Sequence, residues 1–469
     1  MLIRNAEVWD RGIADVRLTD GRIAEVGQIE PRSGETVLDA NGGALLPGLH
    51  DHHIHLAGLS VRASSVICGP PEVNDRTELA SRLRQHGEGW IRGILYHENV
   101  MGLPGAKELD ALVPDRPVRI QHRSGRMWLL NSPGLEELLD NADPPPGLER
   151  DTNGFTGRLF DEDQWLQASL GSKPPDFSAI STDLTRFGVT GITDMSPRND
   201  PRMADHFASQ LEAGALRQHC WLAGALSLAE ARTGEWHLGP AKLHLHEAAL
   251  PPFDDAVDFI SATHEQGRAI AIHCVSEVEL VFALAALEAT GAGPGDRIEH
   301  ASVASMELVE RIAALGLAVC TQPHFVSERG DRYLQDVETR HIGDLYRLRT
   351  LVDGGICLAG GSDAPFASAD PWAAMAAAVS RKTHEGRIIG RDEALTPEEA
   401  LTLYLKAPDD LSQQREVVEE QPADLCLLSR PWAEARTRLS PGDVRATIIS
   451  GRIVHDLVDQ SPGQGLTDS

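Results

Sequence analysis

From about residue 178 the sequence keeps one rhythm, in which short apolar runs alternate with stretches of helical periodicity. Helix 178–187 leads to strand 189–194, helix 201–213 to strand 217–223, and strand 241–247 to helix 254–266. Strand 269–274 precedes helix 277–290, strand 297–300 precedes helix 305–315, and strand 318–322 follows. Helix 344–353 leads to strand 356–360, then to helices at 371–381 and 397–405. Strands alternating with helices of about 10–15 residues imply parallel β/α units. No glycine-rich phosphate loop opens the series, so a closed barrel fits better than an open doubly wound sheet. The chain length of 469 residues suits a barrel of about 250 residues with additions.

The flanks read differently. Residues 1–45 break into short strands at 2–8, 15–19, 22–26 and 35–40, with Asp20-Gly21 and Asn41-Gly42-Gly43 as hairpin signals. The chain returns to β character at 424–428, 445–450 and 452–455, with a Ser450-Gly451 turn between the last two. Both ends are therefore expected to build one small β domain, 1–48 with 415–458, beside a barrel of 49–414. Between about 60 and 176 the rhythm lapses into helix 76–86, strands 90–97 and 117–122, and a helix after Asn131-Ser132-Pro133. Prolines at 144–146 and 174–175 mark loops. This stretch reads as a long insertion after the first barrel strand, although strand 90–97 is also assignable to the barrel. Residues 459–469 are polar and read as a flexible tail.

Composition excludes several partners. A net charge of −27 opposes nucleic acid and anionic membranes. No stretch approaches the roughly 20 apolar residues that span a bilayer. The first residues carry no basic segment followed by an apolar one. The six cysteines (Cys68, Cys220, Cys274, Cys320, Cys357 and Cys426) are scattered without a Cys-x-x-Cys, as expected of reduced thiols in a cytoplasmic protein.

One stretch carries the chemistry, Leu46-Pro47-Gly48-Leu49-His50-Asp51-His52-His53-Ile54-His55. On a strand, His53 and His55 share a face with Asp51, and two imidazoles so spaced suit a divalent metal ion. A barrel builds its site at the carboxyl ends of its strands. There the sequence offers Lys242, His244 and His246 on one face of the strand at 241–247, then His273, His300, and Asp363 after the last strand. Each alone has a duller reading, as a core histidine, a turn cap or a surface lysine. Their recurrence at successive strand ends points to a metal site for one or two cations. A bound metal lowers the pKa of its water to about 7 and polarises a carbonyl. Asp363, beside that water, can take its proton and hand it to a leaving amine. An ammonium at Lys242 would be repelled by the cations, so this lysine lies elsewhere, is neutral, or is chemically altered.

These motifs resemble the amidohydrolase superfamily, and within it amidohydrolase family 3, the YtcJ-like and formamide-deformylase-like metal-dependent hydrolases. The resemblance is carried by Pro47-Gly48-Leu49-x-Asp51-x-His53-x-His55, the strand of Lys242, Ala271-Ile272-His273, Arg297-Ile298-Glu299-His300-Ala301 and Gly361-Ser362-Asp363-Ala364-Pro365. It extends to Ala423-Asp424-Leu425 and Ile449-Ser450-Gly451-Arg452-Ile453-Val454 near the end. In the insertion it covers Gly125-x-x-Trp128-x-x-Asn131-Ser132 and Gly154-x-x-Gly157-x-Leu159. It implies a TIM-like (β/α)8 barrel with a small β-sandwich from both chain ends. It also implies that His53 and His55 bind the more buried metal and His273 and His300 the second. Lys242 would be carboxylated and bridge the two, and Asp363 would be both ligand and proton shuttle. The chain departs from the family at Leu243-His244-Leu245-His246-Glu247, where many relatives have Asp-Gly, and at Cys274-Val275-Ser276-Glu277, where relatives often have Ala-x-Gly-Asp. Both departures bear on the substrate.

The expected function is hydrolysis of a non-peptide C–N bond in a small amide, N-acyl, N-formyl or cyclic-amide compound by metal-activated hydroxide. Zinc is the default cation, with manganese, iron, cobalt or nickel as alternatives. His122, Arg123, Trp128, Asn131 and Arg158 of the insertion, with His244, His246 and His324, are candidate substrate contacts. The insertion itself is a candidate lid over the barrel mouth. The rival functions are a mononuclear deaminase, a lactonase or phosphoesterase, and a non-catalytic scaffold. The expected partners are a small-molecule substrate and a second copy in a homodimer.

Overall fold

A computed structural model describes residues 1–70, 72–85, 89–171 and 174–457. The tail expected at 459–469 lies outside the described residues. The chain forms two compact units, Met1–Leu56 together with Asp176 onward, and Ala57–Pro175.

In the first unit, both chain ends join in an eight-stranded sheet. Its path runs Arg452–Asp456, Val444–Ile449, Leu425–Leu428, Ala44–Pro47, Leu2–Val8, Gly12–Thr19, Arg22–Gly27, with Val37–Asp39 beside Leu2–Val8. Leu425–Leu428 pairs antiparallel with Ala44–Pro47, which ties the last strands to the first. Ile3, Val16, Ile23, Leu45, Leu425, Leu427 and Ile448 bury into one core. Asp20-Gly21 and Ser450-Gly451 both adopt positive φ at both residues, the backbone that joins twisted antiparallel strands in a two-residue turn.

The same unit holds the barrel. Its strands are β1 (Leu49–Ile54), β2 (Val189–Asp194), β3 (His219–Gly224), β4 (His237–His244), β5 (Ile270–Cys274), β6 (Arg297–His300), β7 (Ala318–Thr321) and β8 (Leu358–Gly360). Every neighbouring pair from β1 to β8 is parallel. The expected strand at 241–247 starts earlier, at His237, and ends at His244, so His246 falls beyond it. The seam between β8 and β1 is closed just past β8, where Asp363 N donates to His53 O at 2.6 Å and His55 N to Ala364 O at 2.8 Å. The helices lie in the connections, as their periodicity predicts. Glu277–Thr290 starts with a capping box in which Ser276 and Glu279 satisfy each other's backbone N–H.

The second unit is built on its own six-stranded sheet. Its order is Leu148–Asp151, Gly154–Phe160, Met127–Leu130, Val118–His122, Ile91–Tyr96, Val66–Ile67. The strand expected at 90–97 thus pairs within this sheet and not with the barrel. Its Ile91 and Tyr96 bury in the unit's own core with Leu79, Leu83, Val118 and Ile120. Among the described residues no helix is long and apolar enough to cross a membrane.

The seam makes Gly361 irreplaceable. A Cβ there would stand 2.4 Å from His53 Cβ and 2.7 Å from His53 N, and neither backbone nor a strand-bound side chain yields that far. Gly361→Ala is expected to cost about 1–3 kcal/mol through overpacking and to lower bound metal. Thermal melting and metal analysis of the purified variant check both.

Candidate metal centre

The end of β1 presents the first donors. His53 is buried within the barrel and His55 follows the strand with its side chain 18% exposed. Asp363, just beyond β8, places Oδ1 3.1 Å from His55 Nε2 and 3.4 Å from His53 Nε2. Ligand atoms of these three residues lie within 4.8 Å of one another. The rings continue as a chain across the strand ends. Centroids are separated by 5.2 Å from His55 to His53, 4.8 Å from His53 to His300, 4.5 Å from His300 to His273, and 4.3 Å from His273 to His244.

Hydrogen bonds fix which nitrogen faces the centre. His53 Nδ1 donates to Glu299 Oε2 at 2.5 Å, which leaves the Nε2 lone pair directed at His55 and Asp363. His300 Nδ1 donates to Gln322 Oε1 at 2.7 Å, and its Nε2 is buried without a partner. A metal-binding histidine is oriented in this way, with its second ring nitrogen held by a carboxylate or carbonyl. Glu299 is in turn held by Arg297, whose Nε lies 2.6 Å from Oε1. His55 Nδ1 lies 3.2 Å from Ser196 Oγ. Asp194 accepts from Leu56 N and Ser196 N, and so anchors the turn that follows β1.

The electrostatics match a ligand set. Burial holds the imidazoles of His53, His273 and His300 below their ordinary pKa, with Lys242 acting in the same direction on all three. They are therefore neutral, the form that binds a cation. Burial pushes the Asp363 carboxyl up, but the bond to His55 and the neighbouring His53 and His300 bring it below the ordinary carboxylate range. Burial raises Glu299 as well, and Arg297, Lys242 and His53 more than reverse it. Asp51, buried and accepting from His53 N and Ser362 N, is pushed by burial up to about 6. Lys242, on β4, is buried with no partner for Nζ, and burial lowers its pKa. Neutral imidazoles, an ionised carboxylate and two orphaned nitrogens in one cluster are the donor set a divalent cation requires, and these residues fit one.

Of the predicted site residues, His53, His55, Lys242, His273, His300 and Asp363 share this cluster, and His244 joins its exposed edge. His246 instead caps a short turn after β4, its Nδ1 accepting from Ala248 N at 3.2 Å. His324 is buried and donates from Nε2 to Ser362 O at 2.9 Å, bracing the loop that carries Asp363. The remaining candidates lie in the second unit. His122 bonds Ser124 and Glu98, and Arg123 is exposed beside it. Trp128 donates to Asp163, and Arg158 binds Glu149 and the Leu103 carbonyl. Asn131 caps the helix Ser132–Asn141 and also bonds Val118 N and the carbonyls of Val113 and Arg116. Glu299, Arg297 and Gln322 were not among the predicted site residues. The signal for Glu299 and Arg297 was present, because period two places both on the same face of β6, next to His300.

A parallel eight-stranded barrel with neutral histidines and an ionised aspartate at its strand ends defines the class of metal-dependent hydrolases. Residues 36–455 match the Amidohydrolase family, and the chain belongs to it. The family implies a divalent metal and makes the protein an enzyme, a hydrolase of carbon–nitrogen bonds other than peptide bonds. The chain is 27% identical to a Bacillus subtilis (strain 168) protein named as an amidohydrolase, YtcJ, over 94% of this chain and 96% of that one. It is 26% identical to the N-substituted formamide deformylase of Arthrobacter pascens, over 93% of each. Among solved structures, an uncharacterised metal-dependent hydrolase of Pyrococcus horikoshii OT3 superposes with a TM-score of 0.76 at 20% identity, covering 97% of this chain and 99% of that one.

Glu299→Gln keeps the shape of the side chain and removes the charge that fixes His53. Metal affinity is expected to fall about 10–100-fold, as read by competition with a chelator of known affinity. An unchanged affinity would show that His53 is oriented by packing alone.

Proposed function

We propose that the chain hydrolyses the C–N bond of a small amide, N-acyl, N-formyl or cyclic-amide compound, with His53, His55, His273, His300 and Asp363 as metal ligands. Lys242, carboxylated, would bridge two metal ions. The observation that carries this reading is the convergence of His53 Nε2 and His55 Nε2 on Asp363 Oδ1, beside a buried lysine nitrogen with no partner. Carboxylation would turn an ammonium that bound cations repel into an anion that they attract. A divalent cation held there supplies Lewis acidity toward the carbonyl and lowers the pKa of water.

The chain's own residues supply the proton path. Asp363 is ionised and largely buried, so its carboxylate accepts the proton of the attacking water as the new C–O bond forms. As the C–N bond breaks, Asp363 returns that proton to the departing nitrogen, which leaves as a neutral amine. A neighbouring imidazole that presents an N–H, rather than His300, whose Nε2 carries the lone pair, steadies the carbonyl oxygen as charge develops on it. The relatives support the amide class, since one is named for deformylation of N-substituted formamides.

Asp363→Asn is expected to retain metal and to lose about 10²–10⁴-fold in kcat; full activity would sink the proton-shuttle role. Protein purified without chelator is expected to carry close to two metal equivalents per chain, falling in Lys242→Ala. One equivalent, unaffected by that substitution, would remove Lys242 from the site and favour a mononuclear, ammonia-releasing deaminase. A panel of amides, lactones and phosphoesters separates the hydrolase classes.

A further inference from the structure

The sheet of the second unit carries two arginines side by side. In the parallel register of Ile91–Tyr96 with Val118–His122, Arg92 stands directly opposite Arg119. Both guanidiniums lie against one indole, with Cζ 5.5 Å and 5.9 Å from the Trp128 ring centroid, and Arg119 is also 5.8 Å from that of Trp90. The indole edges are held by two carboxylates. Trp128 Nε1 donates to Asp163 at 2.8 Å and Trp90 Nε1 to Glu137 at 2.7 Å.

Those carboxylates form no ion pair with the arginines. Among the described residues, neither guanidinium has a hydrogen-bond or ion-pair partner, and the Nε of each is buried without one. Buried arginines elsewhere find acceptors, Arg381 in the carbonyls of Ile389 and Leu345 and Arg268 in those of Gly239 and Ala225. Arg158 on the same sheet is paired with Glu149, and the buried Arg17 with Glu25 and Glu35. With 70 acidic against 43 basic residues, this chain has no shortage of counter-charge. Burial lowers the pKa of both side chains, that of Arg119 to about 10 with Arg92 adding to the effect. Cation–π contact offsets part of that cost, and Asp163 acts favourably on Arg92 without pairing with it, but both Nε donors stay without an acceptor and the two like charges stay opposed.

We propose that Arg92 and Arg119, backed by Trp128 and Trp90, form a binding site for a small organic carboxylate. Two guanidinium forks side by side offer parallel N–H donors to the two oxygens of one carboxylate, and the half-buried Trp90 indole offers apolar area to the hydrocarbon that carries it. One anion cancels the repulsion between the two cations and supplies the missing acceptors. The site lies wholly within the second unit and does not depend on the chemistry assigned to the metal centre.

Calorimetric titration of the full, metal-loaded chain tests it, with benzoate as probe, benzamide as its neutral match and inorganic phosphate as the competing oxyanion. Benzoate is expected to bind and benzamide not. Arg92→Gln with Arg119→Gln is expected to weaken benzoate about tenfold or more with metal content unchanged. Equal binding of benzamide would reduce the site to an apolar slot. Benzoate binding untouched by the double substitution would place the carboxylate elsewhere, and phosphate binding tighter than benzoate would overturn the carboxylate assignment. If the double variant does not fold, Arg119→Lys, which keeps charge and stem but loses the fork, is titrated instead. Weaker benzoate binding then supports the site and unchanged binding overturns it.

Discussion

Glu299 lies at zero exposure inside the barrel, with Arg297 2.6 Å from one oxygen and His53 2.5 Å from the other. A carboxyl buried alone would be neutral, because burial penalises its charged form. The guanidinium keeps it ionised, and an ionised Glu299 accepts the proton on His53 Nδ1. That bond determines which lone pair of His53 faces Asp363. Arg297 also donates to His52 O at 3.2 Å, so one ionic group links the sixth strand to the first at the level of the site. A buried ion pair of this kind is weak evidence for stability, since its desolvation cost rivals its attraction. Its contribution here is positional.

Lys242 presents the opposite case, since it is buried near that same ionised group without contact to it. Glu299 and Asp363 act to raise its pKa and burial acts to lower it, and Nζ has no hydrogen-bond partner. An amine left in this state is costly for a protein unless something completes it. The orphaned His300 Nε2 belongs to the same cluster. Both atoms mark where the fold provides donors beyond what it uses itself, as the proposed ligand set requires and a group of core histidines does not.

Much of this was legible in the sequence because the signals were local. Short apolar runs alternating with helical periodicity located the barrel strands to within a few residues. Histidines stand out at strand ends because imidazoles are not common core residues. What escaped was non-local. Glu299 sits beside a histidine in sequence, but its role follows from reaching His53, 246 positions away. His246 read as a site residue only while β4 was taken to run to Glu247; with the strand ending at His244, it becomes a turn cap. Asn131 and Trp128 belong to a motif on which the family resemblance was read, yet the structure gives each a local hydrogen-bonding task within its own unit. The pairing of strand 91–96 could not be read from its pattern, because alternation specifies a strand without specifying its neighbour.

Backbone strain follows the same geography. His300, Ala301 and Asp363 have φ of 72°, 45° and 53°, a conformation that costs a non-glycine residue about 1–3 kcal/mol and persists where the surroundings over-determine it. The surroundings here are main-chain bonds. Ala301 N donates to Glu299 O at 3.0 Å across His300, and Asp363 N to His53 O at 2.6 Å. The second of these also closes the barrel between its last and first strands. Closing the sheet and aiming Asp363 are therefore one structural act, and the residue proposed to carry the proton is held in place by the fold before any ligand arrives. That arrangement suits a group which must both hold a cation and exchange a proton, because its position does not depend on which of the two it is doing.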